Sequence, residues 1–134
     1  MHNTADRGSF RPDDISEWFW TLINKADHKR DRLEAMLWEM TRQDIIRFHN
    51  EFQEAAVQLA DEPFICHMDE GLSEDGVQDV AEWVVSQGKG LYSDVWENPH
   101  HVPGRIEPGT TTTFSSIADN VFWDRFNESI PEKP

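Results

Sequence analysis

The helical character of this chain is clearest at residues 41–59, which read TRQDIIRFHNEFQEAAVQL. The apolar residues of this stretch recur mainly at intervals of three and four, at Ile45, Phe48, Phe52, Ala55, Ala56 and Leu59. Such spacing places them on one face of an α-helix. Thr41, three residues before Asp44, suits the N-cap position, where a side-chain oxygen accepts a hydrogen bond from a free backbone N–H. The stretch therefore predicts an amphipathic helix that ends near residues 61–63.

Shorter apolar stripes on both sides extend this pattern. They predict a helix over roughly 14–25, short helices around Leu33–Met40 and Leu91–Trp96, one that starts after Ser73, and one from Ser115 or Ser116 to Asn127. Asp14 and Glu17 have the spacing of a capping box at the first of these helices. The apolar run at residues 64–68 fits a buried helix or a strand. Because other strand signals are scarce, we expect an all-α fold, a compact bundle of roughly six or seven short helices in a single domain.

The domain organisation follows from length and composition. A chain of 134 residues fits one domain with one core. Residues 1–12 are polar, and we expect a flexible N-terminal segment there. Residues 13–102 hold most of the helical pattern. Residues 103–113 contain two Pro–Gly pairs and a run of threonines, so we expect residues 103–134 to form a loop and a C-terminal helix that packs on the same domain.

A long acidic segment is the best indication of function. No Lys or Arg occurs between Arg47 and Lys89. The same segment carries ten carboxylates, at Glu51, Glu54, Asp61, Glu62, Asp69, Glu70, Glu74, Asp75, Asp79 and Glu82. Uncompensated acidic residues create a negative field that attracts cationic partners. With a net charge of −14, the chain is also expected to be monomeric and to bind no nucleic acid, since phosphate backbones attract clustered Lys and Arg.

The cysteine content and the hydropathy pattern indicate a compartment. Cys66 is the single cysteine, so no internal disulfide can form and a reducing cytosol suits the chain. Residues 1–12 lack the apolar core of a signal peptide. No apolar stretch approaches the length of a membrane span. We therefore expect a cytoplasmic protein without membrane association.

One block of the sequence contains a series of short motifs, namely Phe19–Trp20, GLSEDGV at 71–77, EWVVSQG at 82–88, Tyr92 and Asn98–Pro99. In order and spacing these motifs resemble the DUF4240 family of uncharacterised bacterial proteins. The likeness covers roughly residues 14–102. Glu74 and Val77 depart from the family pattern, which has Asp and Phe there, and the aromatic-rich segment before the motif is reduced to residues 64–68. The resemblance implies a helical fold and a bacterial origin, and it provides no catalytic residues.

The acidic turn at Ser73–Gly76 has two interpretations. In the structural one, Ser73 caps a helix while Glu74 and Asp75 favour its positive end. In the functional one, these carboxylates form a cation site with Asp69 and Glu70. An EF-hand is excluded, because Gly71 would occupy the first position of the loop, where a carboxylate is required. We favour the capping interpretation.

Three other features have both a functional and a structural interpretation. Trp83 fits a partner anchor or, more simply, a core-edge residue whose N–H is hydrogen-bonded. Cys66–His67 and His100–His101 could supply zinc ligands, but their spacing matches no zinc motif, so we predict surface histidines and a buried cysteine. An acidic setting also argues against a cysteine nucleophile.

These observations favour a non-enzymatic acidic binding module. We expect it to mask a basic protein partner, such as a toxin, in the manner of an inhibitor or immunity protein. The predicted partner-binding residues are Glu70, Glu74, Asp75, Asp79, Glu82 and Trp83. We predict no catalytic residue, cofactor or metal ligand. The alternative is a metal-dependent enzyme or metal-binding protein with a carboxylate site between helices, for which His49 with Glu51 or Glu54 is the nearest set.

Overall fold

Six α-helices account for most of the structure. The computed structural model describes residues 10–132, which contain α1 Glu17–Ala26, α2 Arg30–Trp38, α3 Arg42–Leu59, α4 Glu74–Ser86, α5 Lys89–Glu97 and α6 Ile117–Phe126. Single turns of 3₁₀-helix lie at Pro12–Asp14, Ile65–His67 and Pro99–His101. No strand occurs among the described residues, so the predicted all-α fold is confirmed.

The longest helix, α3, lies at the centre of the bundle. It begins at the predicted cap, where Thr41 Oγ1 accepts a hydrogen bond from the Asp44 N–H at 3.1 Å. All six apolar residues of its predicted face are buried. Helices α1, α4 and α6 pack against it. Burial of this apolar face stabilises α3 more than its helix propensity does.

Aromatic side chains fill the space between α1, α3 and α5. The ring centroids of Phe19 and Phe48 are 5.1 Å apart, and those of Trp20 and Tyr92 are 5.3 Å apart. The Tyr92 hydroxyl donates a hydrogen bond to the Ala55 carbonyl at 2.7 Å. Burial raises the pKa of this phenol, so it remains neutral and acts as a donor between α5 and α3.

The start of α1 differs from the prediction. Ser16 is the N-cap, and its hydroxyl accepts a hydrogen bond from the Phe19 N–H at 3.1 Å. Asp14 instead accepts one from the Arg11 N–H at 3.0 Å. The predicted Asp14–Glu17 capping box is therefore wrong, because the chain makes a separate 3₁₀ turn before the helix begins.

The N-terminal segment that we expected to be flexible is described only in part. Residues 1–9 lie outside the described residues. Phe10 is buried and packs edge-on against Trp96, with ring centroids 5.3 Å apart. The 3₁₀ turn that follows it contacts α5. The chain is thus attached to the core from residue 10 onward.

The apolar run at residues 64–68 forms a 3₁₀ turn, a form that periodicity did not indicate. Phe64 and Met68 are buried at its two ends, and the turn between them leaves Cys66 exposed. The prediction of a buried cysteine is therefore wrong. A turn this tight cannot place three successive side chains in the core.

Candidate functional site: an acidic face on the fourth helix

The N-terminus of α4 is built as the capping interpretation predicted. Ser73 Oγ accepts a hydrogen bond from the Gly76 N–H at 3.1 Å. Glu74 and Asp75 occupy the first turn, where negative charge is favoured by the helix dipole. Leu72 lies directly against Gly76, because a Cβ at that position would be only 2.7 Å from the leucine Cγ and Cδ1. A hydrogen bond from Gly76 to Ser73 and an apolar contact between Gly76 and Leu72 therefore both fix the acidic turn to the helix.

Four of the predicted partner-binding residues form an exposed surface, the acidic face, defined as Glu70, Glu74, Asp75 and Asp79. None of the four makes a salt bridge with a Lys or Arg between residues 10 and 132. The pKa of Asp79 is raised by partial desolvation and by the neighbouring charges of Glu82 and Asp75. Negative charge on this face is therefore compensated by no basic side chain of the described chain.

The other two predicted residues, Glu82 and Trp83, follow Asp79 by one helical turn on α4 and hold the loop before α6. One Glu82 oxygen accepts a hydrogen bond from Ser115 Oγ at 2.5 Å, and the other accepts one from Gln78 Nε2 at 2.8 Å. Trp83 is half-buried and donates its indole N–H to Thr112 Oγ1 at 2.9 Å. The side chains of these two residues are therefore engaged by the loop, whereas the neighbouring Asp79 remains exposed.

Ser86 and Gln87 continue this row of contacts, which we call the polar seam, comprising Glu82, Trp83, Ser86 and Gln87 with residues 112–115. Ser86 is 1% exposed, and its Oγ accepts a hydrogen bond from the Phe114 N–H at 2.8 Å. Gln87 Nε2 donates to the Thr112 carbonyl at 3.0 Å. On the far side of the loop, Arg30 donates to the carbonyls of Thr113 and Ser115 at 2.5 and 3.0 Å. The seam fixes the loop to both α4 and α2.

A partly apolar, half-open pocket of about 340 Å³ lies beside Glu70 of the acidic face. Its apolar walls are Ile65, Met68, Leu72 and Val77, and Glu70 of the acidic face lies on its edge. No pattern in the sequence predicted this pocket. The one sequence feature that could have indicated it is Leu72, an apolar residue that belongs to no helical stripe and lies within an acidic turn.

The sequence of this helical bundle was compared with models of protein families. A match to the family described as "Protein of unknown function (DUF4240)" covers residues 15–127, which is most of the chain. The protein belongs to the DUF4240 family. This match continues beyond residue 102, the limit of the sequence resemblance, and includes the polar seam and α6. Comparisons with curated proteins and with solved structures gave no match.

The motif residues of this DUF4240 protein have structural roles. Gly71 has φ +81°, a conformation that favours glycine, and it turns the chain into the cap of α4. Gly88 has φ +112° and forms the junction between α4 and α5. Trp83 and Tyr92 donate the hydrogen bonds described above. The motif therefore defines how α4 begins, bonds to its neighbours and ends.

Several carboxylates of the acidic segment are not available as free surface. Glu51 accepts hydrogen bonds from the Ser16 N–H and Oγ at 2.8 and 3.0 Å, and Arg47 Nε lies 3.0 Å from it. Arg105 Nε lies 3.9 Å from an Asp69 oxygen. The carboxylates that remain exposed without a salt bridge to Lys or Arg therefore make up only part of residues 51–83.

The histidine and cysteine pairs come close together on the surface. His67, His100 and His101 are exposed, with centroid separations of 6.3 Å for the first two rings and 4.3 Å for the last two. His101 Nδ1 lies 2.8 Å from an Asp94 oxygen. The surface-histidine interpretation is confirmed. No group of three or more His, Cys, Asp or Glu within the described part of the chain has a metal-binding arrangement.

In the alternative carboxylate set, His49 and Glu54 line the same pocket of about 450 Å³, but the side chains of the set have separate polar partners. His49 Nδ1 lies 3.8 Å from an oxygen of Asp119 on α6. Glu51 is engaged by the start of α1, as described, and Glu54 accepts a hydrogen bond from Gln58 at 3.3 Å. These contacts direct the three side chains to different neighbours.

None of the helices in the described range is both long and apolar enough to cross a membrane.

Proposed function

We propose that this protein is a non-enzymatic binding module of the inhibitor or immunity type. Its acidic face covers a basic surface on a protein partner, such as the cationic cleft of a toxin. The protein acts as a monomer in the cytoplasm and binds neither nucleic acid nor membranes. One observation carries this proposal: four exposed carboxylates at and just before the start of α4 form no salt bridge with a Lys or Arg of residues 10–132.

Electrostatics explains how such a face would act. Clustered charge steers an oppositely charged partner and raises the association rate more than it raises affinity. The pKa of Asp79 is raised first by desolvation and then by the charges of Glu82 and Asp75, and these two charge contributions support this view. A cationic partner would relieve that repulsion and favour the ionised form of Asp79. Binding would therefore lower this pKa and strengthen as the pH rises through it.

The single thiol supports the proposed compartment. Cys66 is exposed and unpaired. A reducing environment such as the cytoplasm keeps an exposed thiol from forming intermolecular disulfides. The alternative of a metal-dependent enzyme is not favoured by any arrangement of side chains described above.

The test compares two variants with the same change in net charge. E74K/D75K/D79K reverses the acidic face, whereas E34K/E97K/D124K reverses three exposed carboxylates elsewhere on α2, α5 and α6. The partner is captured from native cells on immobilised wild-type protein, identified by mass spectrometry and purified. Association rates are then measured over a range of salt concentrations.

The first variant should associate about tenfold or more slowly than wild type at low salt and lose most of its salt dependence. The second should stay close to wild type. Equal association rates and equal salt slopes for the acidic-face variant and the wild type would refute the proposal. Circular dichroism checks folding, because lysines in the first turn of α4 oppose the helix dipole; E74Q/D75N/D79N provides a milder variant.

A further inference from the structure

We propose that the apolar walls of the pocket beside the acidic face receive an apolar side chain from the basic partner. This inference deepens the proposed function and rests on it. It assigns the partner's binding segment a composition: one leucine-, methionine- or phenylalanine-sized side chain flanked by lysines or arginines. The acidic face attracts this segment, and the pocket fixes its position.

The pocket is a formed feature of the fold. Met68, which is 7% exposed, lines the pocket together with Ile65, Leu72 and Val77, which are half-buried. Leu72 is held in place because Gly76 has no Cβ to displace it. Apolar surface that remains partly open to water gains free energy when a partner covers it. A volume of about 340 Å³ is at the lower end of ligand pockets and suits a single large side chain.

The charge around the pocket selects the occupant. Asp69 and Glu70 line the pocket, and Glu74 and Asp75 begin the helix immediately after it. Among the described residues, only one basic side chain forms a salt bridge with these four carboxylates. It is Arg105, whose Nε lies 3.9 Å from an oxygen of Asp69. An apolar side chain with positive neighbours therefore complements both parts of the surface. A second copy of this chain, with its net charge of −14, would bring like charge against it.

Cys66 provides a reporter inside the pocket. Its side chain is exposed and lines the pocket, and its Sγ donates a hydrogen bond to the Pro63 carbonyl at 3.1 Å. Because it is the single cysteine of the chain, a thiol reagent labels this position alone. An occupant of the pocket should therefore slow the labelling of Cys66.

The experiment uses two matched peptides as probes. Both are short, alanine-rich and lysine-bearing; one has a central leucine, and the other has serine at that position with the same charge. Binding to the full-length protein is measured by fluorescence anisotropy over a range of salt concentrations. Val77→Phe fills the pocket without altering any charge. Labelling Cys66 with N-ethylmaleimide blocks the pocket without a core substitution and serves if Val77→Phe does not fold.

For the wild type, the leucine peptide should bind about tenfold or more tightly than the serine peptide and should slow thiol labelling. In the blocked proteins this preference should fall to less than about threefold while the salt dependence stays unchanged. Equal affinity of the two peptides for the wild type, or a preference that survives both blocks, would overturn the pocket assignment.

The two proposals fail in different ways. If E74K/D75K/D79K abolishes salt-dependent binding but the wild type shows no preference for the leucine peptide, the pocket assignment is wrong. The role proposed for the acidic face then stands. Binding by neither peptide, or binding that this charge reversal leaves unchanged, rejects the acidic face itself.

Discussion

Ser86 Oγ on α4 accepts a hydrogen bond from the backbone N–H of Phe114 at 2.8 Å, across 28 residues of sequence. The same hydroxyl donates to the Glu82 carbonyl one turn earlier in the helix, at 2.7 Å. A hydroxyl can make both bonds at once because it is donor and acceptor. This pair joins the motif-bearing helix to the loop that leads into α6.

Removal of this hydroxyl should destabilise the protein. Ser86→Ala leaves the Phe114 N–H buried without a partner, which costs about 1–3 kcal/mol of unfolding free energy. Urea unfolding followed by circular dichroism measures the change. Ser93→Ala on α5, at a half-buried serine, is the matched control and should change stability much less. Equal effects of the two substitutions would show that the Ser86 contact is not important.

Loss of the N-cap of α4 should destabilise the first helical turn, which carries part of the acidic face. Ser73→Ala removes the acceptor for the Gly76 N–H and should cost about 1 kcal/mol, while Ser73→Asp should retain most of it. Hydrogen exchange should show faster opening of the first turn of α4 in the alanine variant. Ser129→Ala, at an exposed serine after α6, is the control. A Ser73→Ala variant with wild-type exchange in this turn would contradict the capping role.

Gly76 and Gly90 should respond oppositely to alanine. Alanine in a helix is usually more stable than glycine by up to about 1 kcal/mol. Nothing lies within 4 Å of a Cβ built at Gly90, so Gly90→Ala should stabilise the protein. At Gly76 the new methyl group would displace Leu72, so this gain should be lost. Thermal unfolding of both variants measures the difference, and equal stabilisation would argue against the Leu72–Gly76 contact.

The pKa of Asp79 predicts a pH dependence of stability. Its folded-state pKa lies above the ordinary value of 3.8, so the folded protein binds this proton more tightly than the unfolded chain does. Stability contributed by the protonated form is therefore present below pH 3.8 and is lost as the pH rises through the raised pKa. Asp79→Asn cannot ionise, so it should gain in stability relative to wild type near neutral pH.

This gain should vanish below pH 3.8, where both side chains are uncharged. Melting temperatures of the two proteins at several pH values test the prediction. Asp124→Asn, at an exposed carboxylate on α6, controls for the loss of one charge. A difference between Asp79→Asn and wild type that does not change with pH would contradict the repulsion described for this face.

The helices with local signals were predictable from sequence. The regular stripe of α3 and its cap at Thr41 needed no tertiary information, and Ser73 marked the start of α4 in the same way. The start of α1 was misplaced because Asp14 and Ser16 both resemble N-caps. Only the backbone turn before the helix separates them.

The polar seam and the pocket could not be predicted in this way. The bond from Arg30 to the Thr113 carbonyl spans 83 residues, and that from Trp83 to Thr112 spans 29. Contacts between such distant residues leave no periodic pattern in the sequence. Glu82 and Trp83 were therefore grouped with the acidic face because they are near it in the chain, although the fold gives them a different neighbour.

The hydrogen bonds that hold the loop before α6 determine how far the protein can be truncated from its C-terminus. A fragment that stops near residue 102 would keep the whole motif, yet it would lose the acceptors of Trp83 and the buried Val121 and Phe122 of the last helix. Such a fragment would present bare apolar helix faces to solvent and aggregate during expression. Shortened variants for domain fusion or crystallisation should therefore retain the chain through at least residue 127, the end of the family match.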